Sequence, residues 1–208
     1  MSARGKQSLL YLFIKRLFDI FASLIGIVIL IPLTLIIGLA IKLEDRGPIF
    51  FAQERVTKNG KLFKLYKFRS MVTNAEEIRE TMDDENEMDG PVFKVKNDKR
   101  ITKVGHLIRK TGIDEVPQFV NIFLGDMSLV GPRPALPREV AEYDEKAKRR
   151  LEVKAGITCI WQIHPNRNSI TFDEWMAMDT EYVDNASIFL DLKIIFKTIG
   201  AVFKADGE

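Results

Sequence analysis

One cysteine, Cys159, in a chain of 208 residues rules out an internal disulfide, and its expected state is that of a small buried apolar residue. Histidine is nearly as scarce. His106 and His164 are the only two, and neither has a metal-ligand partner at a suitable spacing, so neither a zinc centre nor a Ser-His-Asp triad is expected. An excess of one charge is also lacking. With 31 basic and 29 acidic residues the formal net charge is +2, which does not suggest a nucleic-acid partner, and any basic patch must be local. The acidic stretch from Thr73 to Asp89 lacks both a sustained apolar stripe and the spacing of an EF-hand, so it reads as solvated helix and loop.

What is present in quantity is apolar length. Ile20 to Ile41 is a run of 22 residues without a charge, enough at about 1.5 Å per residue to cross a bilayer core of roughly 30 Å. It is too long for a cleaved signal, and no small-residue cleavage site follows before Lys42. Two features argue against a simple crossing. Arg4, Lys6, Lys15 and Arg16 precede the run, and Lys42, Arg46, Arg55, Lys58 and Lys61 follow it, so the positive-inside rule assigns both ends to one side. Pro32 lies near the middle, where it removes a backbone hydrogen bond and clashes with the preceding turn. A re-entrant helix–break–helix at Pro32 is predicted, the alternative being a kinked spanning helix.

Beyond the run, Pro48–Val56 and Leu62–Met71 are rich in aromatic and β-branched residues and flank Asn59-Gly60, a hairpin signal. Alternation in the second arm puts Lys64, Tyr66 and Phe68 on one face and Leu65, Lys67 and Arg69 on the other. At Asp114-Glu115 two adjacent carboxylates open an apolar segment. Asp114 stands where an N-cap belongs, and Pro117 sits early, where a missing N–H costs nothing. A helix start there offers free N–H groups and a positive dipole end that lower carboxylate pKa values and attract phosphate; a plain capping Asp is the other reading. Arg109 can hold two phosphate oxygens by parallel hydrogen bonds. Arg133, between Pro132 and Pro134, is held on a rigid loop, as a ligand-binding or a structural arginine. Ile188–Phe203 carries Leu192, Ile195, Phe196, Ile199 and Phe203 at helical spacing, with Lys193, Lys197 and Lys204 toward another face. It reads as an amphipathic helix lying in the headgroup layer or facing the core. Trp161 and Trp175 fit either a membrane belt or a core.

The segments IKRLFDI, RGPIFFAQERV, FKLYKFRSM, DKRITKVGHLIRKTGIDEVPQ, GDMSLVGPRP, KAGITCIWQ and SIFLDLKIIFKTI resemble, in order, those of the bacterial sugar transferase family, the monotopic polyprenol-phosphate phosphoglycosyl transferases. The resemblance runs from about Lys15 to Lys197. The chain has Gly112-Ile113-Asp114-Glu115-Val116-Pro117 where the family usually has Ser-Leu-Asp-Glu-Leu-Pro. After Gln162 its His164-Pro165-Asn166-Arg167-Asn168 is one residue longer than the usual segment. The resemblance implies an α+β, mainly α fold. Its parts would be a re-entrant membrane helix, a small β-hairpin, and amphipathic interfacial helices around an active site at a helix N-terminus. Residues 1–45 would be the N-terminal arm and membrane helix, and 46–208 a membrane-associated catalytic domain on the cytoplasmic face of the bacterial inner membrane.

It also implies a reaction. Asp114 would attack the sugar-bearing phosphorus of a UDP-sugar with Mg²⁺ present, releasing UMP. Undecaprenyl phosphate would then take the phosphosugar from the aspartate. Asp114 would help hold the metal; Glu115 would assist the lipid phosphate or the metal; Lys67, Arg69, Arg109, Arg133 and Arg167 would face phosphate. Membrane lipids are expected partners, and a homodimer is left open. A scaffold of a polysaccharide assembly complex and a Mg-dependent lipid diphosphate phosphatase are the alternatives. With no multi-span segment before Lys15, a compact single-function enzyme of exopolysaccharide synthesis is expected, its sugar unspecified.

Overall fold

The computed structural model describes residues 7–82, 84, 86–93, 95, 97–165 and 169–203. Its longest element is helix α1, Leu9–Asp45, whose N-cap Ser8 accepts the amide of Tyr11 at 3.1 Å. At 1.5 Å per residue its 37 residues amount to about 55 Å of helix. The predicted break is not seen as an interruption, because the helical run is continuous through Pro32. Proline leaves the Val28 carbonyl without its helical partner. Two residues later the Thr34 hydroxyl donates to the Leu30 carbonyl at 2.8 Å, a contact that relieves and bends helices. A stripe of α1 that includes Asp19, Ser23, Gly26, Ile37 and Ile41 is buried, while Phe13, Phe21, Leu35 and Leu39 on its other side are exposed.

The hairpin forms as expected. Strands β1, Phe50–Val56, and β2, Leu62–Phe68, pair antiparallel around a 3-10 turn at Lys58–Gly60. Asn59 and Gly60 have φ of 58° and 76°, the left-handed backbone that Asn and Gly tolerate. The register sets Phe51 opposite Lys67, Gln53 opposite Leu65 and Arg55 opposite Phe63. Directly paired residues share a face, so Arg55, Gln53, Leu65 and Lys67 do as well.

Helix α2, Ala75–Glu80, is short and mostly solvated, in keeping with its acidic sequence. Helix α3, Lys103–Lys110, is capped by the Thr102 hydroxyl and also by Glu44 of α1, which accepts the amides of Lys103 and Val104 at 2.7 and 3.2 Å. Helix α4, Gln118–Leu124, stops at Gly125, φ 88°. Strands β3, Ser128–Val130, and β4, Gly156–Thr158, pair parallel. They lie so close that a Cβ on Gly156 would stand 2.1 Å from the Gly131 nitrogen. The short helices α5, Pro137–Ala141, and α6, Glu145–Lys148, lead to α7, Phe172–Asn185, which opens on a Thr171/Glu174 capping box, and to α8, Ile188–Phe203.

Apolar clusters join these elements. Phe63, Leu65, Ile122 and Met127 pack the hairpin on α4. Val130, Tyr182, Val183 and Ile194 pack β3 on α7 and α8. Ile37 and Ile41 of α1 meet Phe68 and Ile108. Trp161 and Trp175 stack with ring centroids 4.8 Å apart beside Ala135 and Tyr143, which makes both part of the interior. Helix α8 buries Asp191 and Ile194 and exposes Phe189, Phe196 and Ile199. The expected stripe through Phe196 and Ile199 is therefore an outer face, and the core-facing residues lie beside it.

Candidate active site

Polar contacts, some of them buried, tie α1 to the rest of the chain at both ends. Lys15 donates to Asp191 Oδ2 at 2.8 Å, and Tyr11 and Tyr182 donate to the same carboxylate at 3.0 and 2.7 Å. Arg16 donates to the carbonyls of Ile122 and Phe123 at 2.7 and 2.8 Å at the C-terminal end of α4, where the Ile122 carbonyl also accepts the Gly125 amide. Asp19 accepts the Leu129 amide at 2.8 Å and the Ser128 hydroxyl at 3.0 Å. Gly26 lies against Phe119, where a Cβ would come within 2.3 Å of the ring. At the other end Asp45 forms a two-pronged pair with Arg69.

Between these attachments sits the acidic pair. Gly112, with φ 68°, turns the chain from α3 into a 3-10 turn, Ile113–Glu115, and Pro117 then precedes α4. Asp114 is thus not the N-cap expected from the sequence: α4 begins four residues later, and no side chain caps it. The proline-constrained backbone makes a separate tight turn, which points the carboxyl inward. Asp114 is 6% exposed. Burial pushes its carboxyl above the ordinary carboxylate range, with Lys67, Arg109 and Arg133 opposing and Glu115 adding to the rise. This is opposite to the lowering expected at a helix mouth, because lost hydration outweighs the neighbouring cations. Burial also pushes Glu115 up, yet Lys67, Arg133 and hydrogen bonds from Lys67 and Gln118 outweigh it and hold that carboxyl below its ordinary value. Lys67 Nζ is 2.6 Å from Glu115 Oε1 and 3.9 Å from Asp114 Oδ2.

The pair lines a cavity of about 1090 Å³, as do Lys67, Arg109 and Arg133. One wall of it is apolar, with Ala22, Ile25 and Ile29 of α1, Phe119, and Ile195 and Ile199 of α8. Another wall is cationic. Arg133 lies 6.0 Å from the Trp161 ring, and its loop is held by Arg150, whose Nη2 donates to the Arg133 carbonyl at 2.9 Å.

Arg69 departs from the expectation of a phosphate-facing side chain. It lines the same cavity, but it is 6% exposed and its guanidinium is engaged by Asp45 and the Pro48 carbonyl, because the chain leaves α1 directly beneath the end of β2. Arg167 lies outside the described residues. Arg55 and Gln118 also line this region and were missed by the sequence reading. Arg55 could have been found by extending the alternation across the hairpin, whereas Gln118 carried no signal beyond its place after Pro117. Cys159 is buried and its thiol is pushed up to about 12 by that burial, the inert state expected of it. Among the described residues no three His, Cys, Asp or Glu side chains gather closely enough to hold a metal unaided.

The sequence profile of the bacterial sugar transferase family matches residues 10–205, and the chain belongs to that family. It is 44% identical over 197 residues to the galactosyl transferase CpsE of Streptococcus agalactiae serotype III (strain NEM316), covering 95% of this chain and 44% of that one. It is 42% identical over 202 residues to the undecaprenyl-phosphate galactose phosphotransferase of Salmonella typhimurium, covering 94% and 41%. It is 40% identical over 198 residues to the exopolysaccharide production protein ExoY of Rhizobium meliloti, covering 93% and 87%. The chain thus spans less than half the length of the first two relatives and most of the third.

Proposed function

We propose that this protein moves a sugar 1-phosphate from a UDP-sugar to undecaprenyl phosphate at the cytoplasmic face of a bacterial membrane, in the synthesis of an exported polysaccharide. The observation that carries the reading is the Asp114–Glu115 pair, Asp114 buried and Glu115 half-buried, in a cavity lined both by apolar side chains of α1 and by the cations Lys67, Arg109 and Arg133. A long-chain lipid phosphate and an anionic nucleotide need both kinds of surface around one reacting group. The names of the Salmonella and Streptococcus relatives agree with the acceptor and with a sugar donor.

In the first step an Asp114 carboxylate oxygen forms a bond to the sugar-bearing phosphorus, the bond from that phosphorus to the bridging oxygen breaks, and UMP departs. In the second, an oxygen of the lipid phosphate forms the bond to phosphorus, the aspartyl bond breaks, and the carboxylate is regenerated beside a polyprenyl diphosphate sugar. Lys67, Arg109 and Arg133 offset charge on the transferring group. Glu115, kept ionised by Lys67, orients that ammonium. Mg²⁺ fits the residues present, since it is commonly held by one or two carboxylates with substrate phosphate oxygens and water completing the shell. Asp114 and Glu115 would supply the carboxylates, and the ion would polarise the phosphoryl oxygens.

Residues 1–45 act as a re-entrant anchor in this reading, with 46–208 as the catalytic domain. In support, only the ten residues 27–36 separate the Gly26 contact with Phe119 from Ile37 in the Phe68–Ile108 cluster, whereas a crossing needs about 20 in lipid. Leu107 of α3, Leu124 of α4 and Phe196 of α8 are exposed apolar side chains suited to the same interface, with Lys193 and Lys197 for anionic headgroups.

The test is UMP release from a panel of UDP-sugars with undecaprenyl phosphate and Mg²⁺, comparing the native chain with Asp114→Asn. Lipid-dependent UMP formation that disappears in the variant is expected. Full activity in the variant would remove Asp114 as the nucleophile, and silence across the panel would favour the scaffold.

A further inference from the structure

We propose that Arg55, together with Arg133, forms an anion subsite for the donor phosphate distal to Asp114, the one that departs with the nucleoside. The donor's identity rests on the transferase reading; the subsite rests on geometry.

Three observations carry it. The first is register. Arg55 and Lys67 lie two rungs apart on one face of the hairpin, and both line a chamber of about 20 Å³ shared with Glu115, Gln118, Arg133 and Gln162. That volume has room for about one water-sized oxygen, and it sits beside the large cavity with Arg55, Lys67, Glu115 and Arg133 on the walls of both.

The second is the way Arg55 is held. Its Nη1 donates to the Pro134 carbonyl at 3.0 Å and its Nη2 to Gln53 Oε1 at 2.7 Å, so the fork is fixed in direction while each terminal nitrogen keeps a further proton. Its Nε is buried and has no acceptor among the described residues. Among the described residues no carboxylate forms an ion pair with it, although the charges of Glu139 and Glu115 favour its cation. Glu139 accepts the Leu136 amide at 2.8 Å, and Glu115 is taken by Lys67.

The third is crowding of like charge. Arg133 and Arg138 both bear on Arg55, whose pKa is pushed down to about 10 by burial first and by Arg133 next, with Glu139 and Glu115 opposing the fall and Arg138 adding to it. A half-buried guanidinium that faces other guanidinia, with its nearby carboxylates engaged by other donors, favours an arriving anion. Arg133 bears on Asp114, Glu115 and Arg55 alike, and Arg55 and Glu115 bear on each other. Asp114 lines only the large cavity, whereas Arg55 and Arg133 also line the small chamber beside it, which suits a second phosphate linked to the one at Asp114.

Binding of UMP, uridine and inorganic diphosphate to the full chain in lipid nanodiscs, by calorimetry, tests the subsite for the native protein, Arg55→Gln and Arg55→Lys. Arg55→Gln is expected to weaken UMP about tenfold, the range for one hydrogen bond to a charged group. Arg55→Lys should weaken it severalfold, since the ammonium keeps charge but loses the fork. Uridine binding should not change in either. If Arg55→Gln fails to fold by circular dichroism, Arg55→Lys decides. UMP bound as tightly by both variants as by the native chain overturns the subsite and leaves the transferase reading standing. Native protein that binds neither UMP nor diphosphate overturns it too. Arg55-dependent binding of diphosphate without any binding of UMP supports the subsite and removes the nucleotide donor.

Discussion

Lys67 Nζ lies 2.6 Å from Glu115 Oε1 and 3.9 Å from Asp114 Oδ2, so one ammonium is shared unequally by two neighbouring carboxylates. The nearer acid is held below its ordinary pKa and the more buried one is raised above it. Environments that drive paired carboxyls apart commonly mark groups with different tasks. Here they agree with Asp114 as the reacting group and Glu115 as the fixed charge that directs Lys67.

This division has a pH signature. An attacking Asp114 must be ionised, so the rate of phosphosugar capture should rise with pH through a value above the ordinary aspartate range. Lys67 lowers the Asp114 pKa, and Lys67→Met should therefore move the acid limb of the profile to higher pH as well as reduce the rate. Single-turnover UMP release across pH reads both, and an unmoved limb in Lys67→Met would contradict the coupling.

Arg69 is expected to act on stability. Its guanidinium clamps Asp45 at the end of α1 and the Pro48 carbonyl, so Arg69→Ala should cost about 2 kcal/mol, between exposed and buried ion pairs. The urea midpoint should fall while KM for the donor stays within about twofold. A normal midpoint with a large rise in KM would return Arg69 to the phosphate site.

Arg150 and Asp179 form a pair at 2.8 Å and are 3% and 1% exposed. Removing one partner strands the other, so Arg150→Met should destabilise by about 3–5 kcal/mol, while Arg150→Met with Asp179→Asn should cost clearly less than the sum of the singles. Arg150 also donates to Tyr143 Oη at 2.6 Å and to the Arg133 carbonyl at 2.9 Å. The double variant should therefore regain stability, read by denaturant melts, without regaining the position of the Arg133 loop or full activity.

The hairpin shows what short-range information can carry. Asn59-Gly60 specified a left-handed turn, and alternation beside it gave the faces of Leu65 and Lys67. The same rule applied across the strands would have found Arg55. The limits of α8 agree with its apolar periodicity, but its burial does not. Apolar residues lie on two sides of that helix, and the buried Asp191, invisible as an inward residue in a hydropathy pattern, picks the side that faces Tyr182. Asp114 illustrates a third case. Its capping signal was sound as local chemistry, yet Pro117 started α4 later and left the acid in a separate turn.

The chain by itself determined the long apolar helix, the hairpin turn, the inert cysteine and the bacterial sugar transferase family, all properties of residues close in sequence or of their composition and order. Tertiary structure decided which partner each charge meets. Arg69 is met by Asp45, 24 residues away, Lys67 by Glu115, 48 away, and Lys15 by Asp191, 176 away. The same long-range closure buried Asp114 and raised its pKa. Backbone preference acts over a few bonds, whereas desolvation and Coulomb energy depend on whatever the folded chain brings within a few ångströms.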